Sequence, residues 1–314
     1  MKRVFLPVFL FPLALLAGCG AEPQATAASE TGVDTSAQQN RVTATKNDAA
    51  ASLLPARIRD RGTLIVGAGF GSGSVPLGFY ADDNKTPIGL EVDIAYLVAG
   101  ALGLKPEIEV TSWENLFVGL DSAKYDVGFS NITVTEKRKQ KYDFATYRKD
   151  DIAFEAKKGG SWRVRSGKDI AGKTIAVGSG TNQEKILVDW NEANVKAGRP
   201  AATIKYFQKN TDTYLALSSG RIDAYFGPNP SIAYHVKTSG ETETIGKFSG
   251  AGPTLQGLIA ATTKKDDGLV KAYQAALNAV IADGSYAKVL ARWNVSSEAV
   301  AKSEINPPGL PLTS

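Results

Sequence analysis

Residues 125–138, YDVGFSNITVTEKR, constrain the fold of this chain more than any other stretch. Residues 125–129 form a short apolar run bounded by Lys124 and Ser130. That pattern suits a strand buried in a parallel sheet and points to an α/β architecture. Two small polar residues, Asn131 and Thr133, follow near the strand end. Thr135 is placed to cap a helix that begins immediately after it. Arg138 falls in the first turn of that helix, where the helix dipole disfavours a cation. Two readings of Arg138 stand at this point. It is a solvated member of the charge run EKRKQK, or it is a guanidinium fork that clamps a carboxylate. Crevices at strand ends are the usual ligand sites of open α/β sheets.

A second stretch rhymes with the first. Residues 222–229 read IDAYFGPN beside YDVGFSN, and two glycine-ended strands rhyme as well, TLIVGAG at 63–69 and KTIAVGSG at 173–180. The chain therefore reads as two similar α/β lobes, each presenting a strand end to a shared cleft.

Composition enters where it excludes. At 314 residues and 43% hydrophobic, the chain has room for two medium domains with real cores. A net charge of +4, evenly spread, gives no footprint for nucleic acid. Cys19 is the only cysteine, which rules out an intrachain disulfide framework. His235 is the only histidine and has no partners of metal-ligating type, so neither a metal nor a cofactor is expected. Residues 1–18 read as a signal peptide, with Lys2 and Arg3 ahead of an apolar run too short for a routine membrane span. The sequence Leu16-Ala17-Gly18-Cys19 resembles a bacterial lipoprotein signal, which implies lipid attachment at Cys19. An ordinary secretory peptide is the alternative. Residues 19–55 are poor in bulky apolar side chains and read as a flexible tether.

Within the folded part, lobe 1 is expected over 56–150, lobe 2 over 151–246, a return to lobe 1 over 247–300, and a C-terminal tail over 301–314, proline-rich and of little order from Asn306. Phe70 and Phe79 flank a glycine- and serine-rich loop, where either lines a pocket or closes the core. Residues 89–102 have helical spacing of apolar residues. Glu91, near their start, reads as a cap or solvated helix acid. Thr111 and Glu114 have capping-box spacing around Trp113, which serves as a lid over ligand or a staple onto the core. In 178–184, GSGTNQE, Thr181 again caps, and free backbone N–H groups near Asn182 favour an anion. The stretch lacks the endings of a phosphate loop or a dinucleotide fingerprint. Residues 244–248 are expected to cross back to the first lobe.

With these pieces placed, the chain resembles the family 3 extracellular solute-binding proteins, the polar amino-acid receptors of bacterial ABC importers. The resemblance rests on GLEVDI at 89–94, Trp113 through Leu120, KYD at 124–126, TVTEKR at 133–138, GRIDA at 220–224, and DGSY at 283–286 through Trp293. It implies a two-lobed periplasmic-binding-protein fold of type II, with two Rossmann-like lobes joined by two crossing strands. It also implies a ligand-binding protein and no catalysis, a small ligand with a carboxylate, an ABC permease as partner, a monomer, and an extracytoplasmic, lipid-anchored location. Enzymes similar to cyclohexadienyl dehydratase and ligand sensors without transport use related chains. By resemblance, Arg138 holds the ligand carboxylate, Thr133 adds a hydroxyl, and the turn around Thr181 adds hydroxyl and backbone donors; Asn131 and Asn182, beside these, are further ligand-binding candidates. Pro228 stands where the family places the acid for the ligand ammonium. Proline offers neither carboxylate nor N–H. Asn229 is the nearest replacement acceptor and Glu91 a second candidate, while Phe70 replaces the family's stacking aromatic.

Overall fold

The computed structural model describes residues 32–70 and 74–312. The expected signal peptide and Cys19 lie outside the described residues. The chain enters through helices α1 (Asp48–Ser52) and α2 (Ala56–Arg61), then strands β1 (Thr63–Gly69), β2 (Phe79–Tyr80) and β3 (Pro87–Ile88). Helix α3 (Leu90–Ala101), β4 (Lys105–Thr111), α4 (Trp113–Asp121), β5 (Val127–Gly128) and β6 (Tyr142–Lys149) follow. The middle of the chain supplies β7 (Asp151–Lys157), β8 (Thr174–Val177), α5 (Asn182–Lys196), β9 (Thr203–Tyr206) and α6 (Asn210–Ser218). It continues with β10 (Ala224–Pro228), α7 (Asn229–Ser239) and β11 (Thr242–Ser249). The return is β12 (Leu258–Lys264), α8 (Val270–Ala282) and α9 (Ser285–Arg292).

Two five-stranded sheets result, in the orders β4-β1-β5-β12-β6 and β11-β7-β10-β8-β9. In the first, β1 runs parallel to β4 and β5, and β12 runs antiparallel to β5 and β6. In the second, β8 is parallel to β9 and β10, and β7 is antiparallel to β10 and β11. Each sheet buries its own core. Leu64, Val66, Ile94, Leu97, Val98, Leu277 and Trp293 close the first lobe. In the second, the rings of Phe154 and Phe226 stack with centroids 4.0 Å apart, and Trp190 stacks near both. Helix α3 is apolar nearly all round because it is buried between sheet and helices. Its entry needs Gly89, at φ 124°, where a Cβ would meet the Leu77 carbonyl at 2.5 Å.

The lobes are joined where β6 passes to β7 through the single residue Asp150, and where residues 250–257 run from β11 to β12. The two crossings are bonded to each other: Asp150 donates its N–H to the Gly257 carbonyl at 2.7 Å, and Gly250 donates to the Asp150 carbonyl at 2.8 Å. Residues 244–248 do not cross, in contrast to the sequence expectation. They belong to β11, which pairs with β7 in the second lobe.

Three further expectations are corrected. From residue 33 the expected tether is packed onto the first lobe. Val33, Ala50 and Leu54 are buried, Asn47 donates to the Ala101 carbonyl at 2.8 Å, and Arg41 pairs with the buried Asp93 at 3.0 Å. The segment is held by a few small apolar residues and polar bonds, so its composition reads as unstructured. The tail also packs. Asn306 donates to the Phe144 carbonyl, Leu310 donates to Val134, and Glu136 donates to Leu310. Leu310 is buried and packs in the core cluster of the second lobe, with Ile152 and Ala251 among its members. The same pairing delays the helix expected after Thr135. Backbone bonded to the tail through residue 136 stays extended, and only a 3-10 turn, Arg138–Gln140, forms. Replacing Leu310 with alanine removes a side chain that ties tail to lobe. The expected cost is about 2–5 kcal/mol, read as a lower urea midpoint with an unchanged slope.

Candidate functional site

A cavity of about 180 Å³ lies between the lobes. Each wall is set by the ends of elements already described. From the first lobe, Phe70 follows β1, Glu91 opens α3, Trp113 opens α4 and Asn131 follows β5. From the second, Thr181 and Asn182 open α5, and Tyr225 and Pro228 lie on β10. The structure thus brings six of the sequence-derived candidates, Phe70, Glu91, Trp113, Asn131, Thr181 and Asn182, onto one surface. Tyr225 was not among them; an aromatic inside a short apolar strand carries no signal of its own.

The other three candidates lie elsewhere. Arg138 lines an adjoining groove of about 670 Å³, which shares Thr181 and Asn182 with the cavity. Its guanidinium donates to the Thr133 carbonyl at 2.8 Å in the first lobe and to the Gly180 carbonyl at 3.1 Å in the second. It lies 5.1 Å from the Trp113 ring and 5.5 Å from Phe117. Arginine has five N–H donors, so three remain for other acceptors. Desolvation pulls the guanidinium down to about 10, against the opposing charge of Asp150 and the phenol of Tyr142. Thr135 does cap as expected, its hydroxyl accepting from the Arg138 N–H at 3.1 Å.

Thr133 is buried behind the cavity wall. Its hydroxyl lies 2.8 Å from Asp150 Oδ2 and 3.0 Å from Asn182 Oδ1. Asn182 donates through Nδ2 to Asp150 Oδ2 and to the Gly250 carbonyl, both at 2.9 Å. Gly250 must lack a side chain here, since a Cβ would sit 1.7 Å from Asp150 Oδ2. Asp150 Oδ1 is buried with no hydrogen-bond partner among the described residues. Burial pushes the Asp150 pKa up, against the pull of Thr133, Arg148, Asn182 and Arg138.

Asn229 faces away from the cavity and donates through Nδ2 to Glu298 Oε1 at 3.2 Å. Glu91 does lie on the cavity wall and is not a solvated acid. It is 1% exposed. Its Oε1 accepts from Arg148 at 3.2 Å, and its Oε2 accepts from the Asn131 N–H at 2.9 Å and from the Tyr147 hydroxyl. Three donors fill three of the roughly four acceptor positions of a carboxylate, which leaves one open. Asn131 takes the left-handed conformation, φ 52°, and its side-chain oxygen also accepts from Arg148. Among the acids on the cavity wall, Glu91 is deeply buried, whereas Glu114 is exposed.

Thr181 caps α5 as expected, accepting from the Glu184 N–H at 3.1 Å. Glu184 in turn accepts from the Gly180 N–H at 2.6 Å, so that one amide of the turn is taken. The remaining first-turn amides have no carbonyl partners within the helix and suit an anion.

A model of the bacterial extracellular solute-binding proteins, family 3, matches residues 66–296. The L-cystine-binding protein TcyJ of Escherichia coli K12 is 30% identical over 239 residues, covering 76% of this chain and 84% of its own. The L-cystine-binding protein TcyA of Bacillus subtilis 168 is 26% identical, covering 93% of this chain and 97% of its own. A solved ancestral arginine-binding protein bound to arginine superposes with a TM-score of 0.64 at 28% identity, covering 74% of this chain and 98% of that one. The two sheets and paired crossings are those of the type II periplasmic-binding-protein fold.

The hinge carboxylate generates a test. An acid whose pKa is raised on folding binds its proton more tightly in the native state. Its contribution to stability is therefore greatest below the unfolded-state aspartate range and is lost as pH rises through the raised value. Asp150→Asn, which keeps an oxygen for Thr133 and Asn182, is expected to melt at a higher temperature than the native protein at neutral pH. Toward acid pH the difference should shrink. Thermal melts across that range check both signs.

Proposed function

Because the chain belongs to family 3 of the bacterial extracellular solute-binding proteins, we propose that it is the receptor of an ABC importer and captures a polar α-amino acid between its lobes. The observation that carries this reading is the cavity itself. Both lobes wall it, a buried carboxylate with an open acceptor position stands on one side, and the N-terminus of α5 stands on the other, with Arg138 in the adjoining groove that shares Thr181 and Asn182. These are the complements of an ammonium and a carboxylate.

In this reading the ligand carboxylate meets the first-turn amides of α5 and the free N–H donors of Arg138, while its ammonium meets Glu91. Asn229 is replaced in that role because it lies outside the cavity lining, in the separate pocket where its Nδ2 donates to Glu298. Pro228 forms an apolar stretch of wall. L-cystine, arginine and glutamine, which relatives and solved neighbours bind according to their names, define the ligands to try first. The protein works as a binding protein, with an importer permease as partner and as a monomer. We also assign lipid attachment to Cys19, which would hold the receptor at the outer face of a membrane.

Calorimetric titration with L-cystine, L-arginine, L-glutamine and the other amino acids tests the assignment. At least one should bind and be recovered unchanged; a protein that binds none of them is not an amino-acid receptor. Arg138→Ala should weaken the best ligand about 30-fold or more, since losing a buried charged partner costs roughly 2–5 kcal/mol. Arg138→Lys should recover only part of that, because a point charge cannot reproduce the fork. For the anchor, the full-length chain should partition with membranes and Cys19→Ser should not. Equal partitioning of the two would remove Cys19 from the attachment.

A further inference from the structure

Arg148 is fully buried and carries one positive charge, yet two equally buried carboxylates share it. Glu91 stands on the cavity wall, 3.2 Å from one guanidinium nitrogen. Glu298 stands behind, in contact with another nitrogen, on the 3-10 turn Ser296–Glu298 that follows α9. Glu298 is outside the cavity lining and borders a separate pocket with Asn229. When all three groups are ionised, the set carries one surplus negative charge in a dry environment. Uncompensated buried charge is costly, and a cation brought to Glu91 offsets it. Without Glu298, Arg148 would neutralise Glu91 alone, and little negative field would remain at the cavity.

We propose that Glu298 is a positioning residue for ligand choice, which draws Arg148 away from Glu91 and so leaves Glu91 free to hold an ammonium. This rests on the amino-acid reading above and gives it a determinant outside the cavity. Glu298 also lies beyond residue 296, where the match to the family ends. It supports from outside the cavity the acid, Glu91, that takes the role Pro228 cannot fill. The same carboxylate accepts from Asn229, the first residue of α7 in the second lobe, so the group that sets the charge also spans the cleft. The titratable and charged groups around this set are Arg148 and Tyr147 of β6, Glu91 of α3, Asp150 at the crossing, Tyr286 of α9, and Tyr234 and Lys237 of α7, which border the same pocket as Glu298. Burial pushes the Glu298 carboxyl up, opposed by Arg148 and Asn229.

The test compares Glu298→Gln, similar in shape and uncharged, with Glu298→Asp, shorter and charged. Each is titrated in the calorimeter with L-cystine, L-arginine and L-glutamine, and with the 2-oxo analogue of whichever binds the native protein. The amino form should lose about tenfold or more in Glu298→Gln, the scale of one charge a few ångströms away in a partly screened site. The 2-oxo form should be unchanged or gain, so the preference collapses. Glu298→Asp should keep most of it. In the native protein the preference should fall on acidification, above the usual glutamate range, as Glu298 takes a proton. Glu298→Gln should lack that component, while any titration of Asp150 is common to both. An unchanged preference in Glu298→Gln overturns the assignment and leaves the receptor reading standing. Equal losses for both ligand forms also overturn it, since they mark a role in folding alone. Native protein that binds no amino acid overturns the receptor reading and this one with it. Should Glu298→Gln fail to fold, the native pH dependence decides, and a preference that does not fall in acid refutes the proposal.

Discussion

Asp150 is the residue on which both lobes and both crossings converge. Its main chain ties the first crossing to each end of the second, its carboxylate oxygen meets Thr133 of one lobe and Asn182 of the other, and Gly250 is bare to make room for it. A buried carboxylate with one unsatisfied oxygen is an expensive thing to keep at a hinge. Hydrogen bonds from Thr133 and Asn182 to its other oxygen, and the charges of Arg148 and Arg138, offset part of the cost. Asn182 also lines the cavity, so its side chain joins the ligand-facing surface to the joint through a single residue. Relative movement of the lobes must rearrange bonds at Asp150, and a ligand pressing on the start of α5 acts on the same bonds.

Charge burial is the second theme of the cleft, and it is resolved unevenly. Arg138 is partly buried and bridges two carbonyls, one from each lobe. Arg148 is fully enclosed and answers two acids, an amide oxygen and a main-chain carbonyl, yet its Nε has no partner among the described residues. Buried ionic networks of this sort often contribute little net stability compared with well-packed apolar side chains. Their value here is directional: they fix where Glu91 and Asn131 point. Asn131 holds a left-handed backbone to serve both, a conformation that asparagine tolerates better than most residues.

The architecture was legible because glycine-ended strands and helix starts are local features. β1, β8, α3, α4 and α5 all occur close to where periodicity and capping residues put them, though Ser112 rather than Thr111 caps α4. What escaped was held by distant partners. The stretch 33–55 has too few bulky residues to announce a packed segment, and its bonds to Asp93 and Ala101 join residues far apart in sequence. The tail was misread for the same reason, since its strand-like pairing depends on residues 134–146. Arg148 and Asp150 sit in the run DFATYRKDDIAF, where charges between apolar residues hint at buried partners without naming them. Glu298 gave no signal at all, because its meaning comes from Arg148, 150 positions earlier.

The packing of residues 33–55 bears on how far this protein can reach. Had the chain been free from Cys19 to residue 55, an anchored receptor would have roamed a wide volume. Val33 is already buried in the first lobe. Only residues 20–32 then separate the proposed attachment point from the body, and fully extended they span at most about 45 Å. If Cys19 carries the proposed lipid, a receptor on so short a leash would patrol a thin layer above the bilayer, and its local concentration at a permease in the same membrane would be high whatever its affinity for it. With Val33 packed in lobe 1, such a leash would grip that lobe and leave the second the greater freedom to swing outward. A chain grafted between residues 19 and 33 would alter delivery to the membrane without touching the cleft.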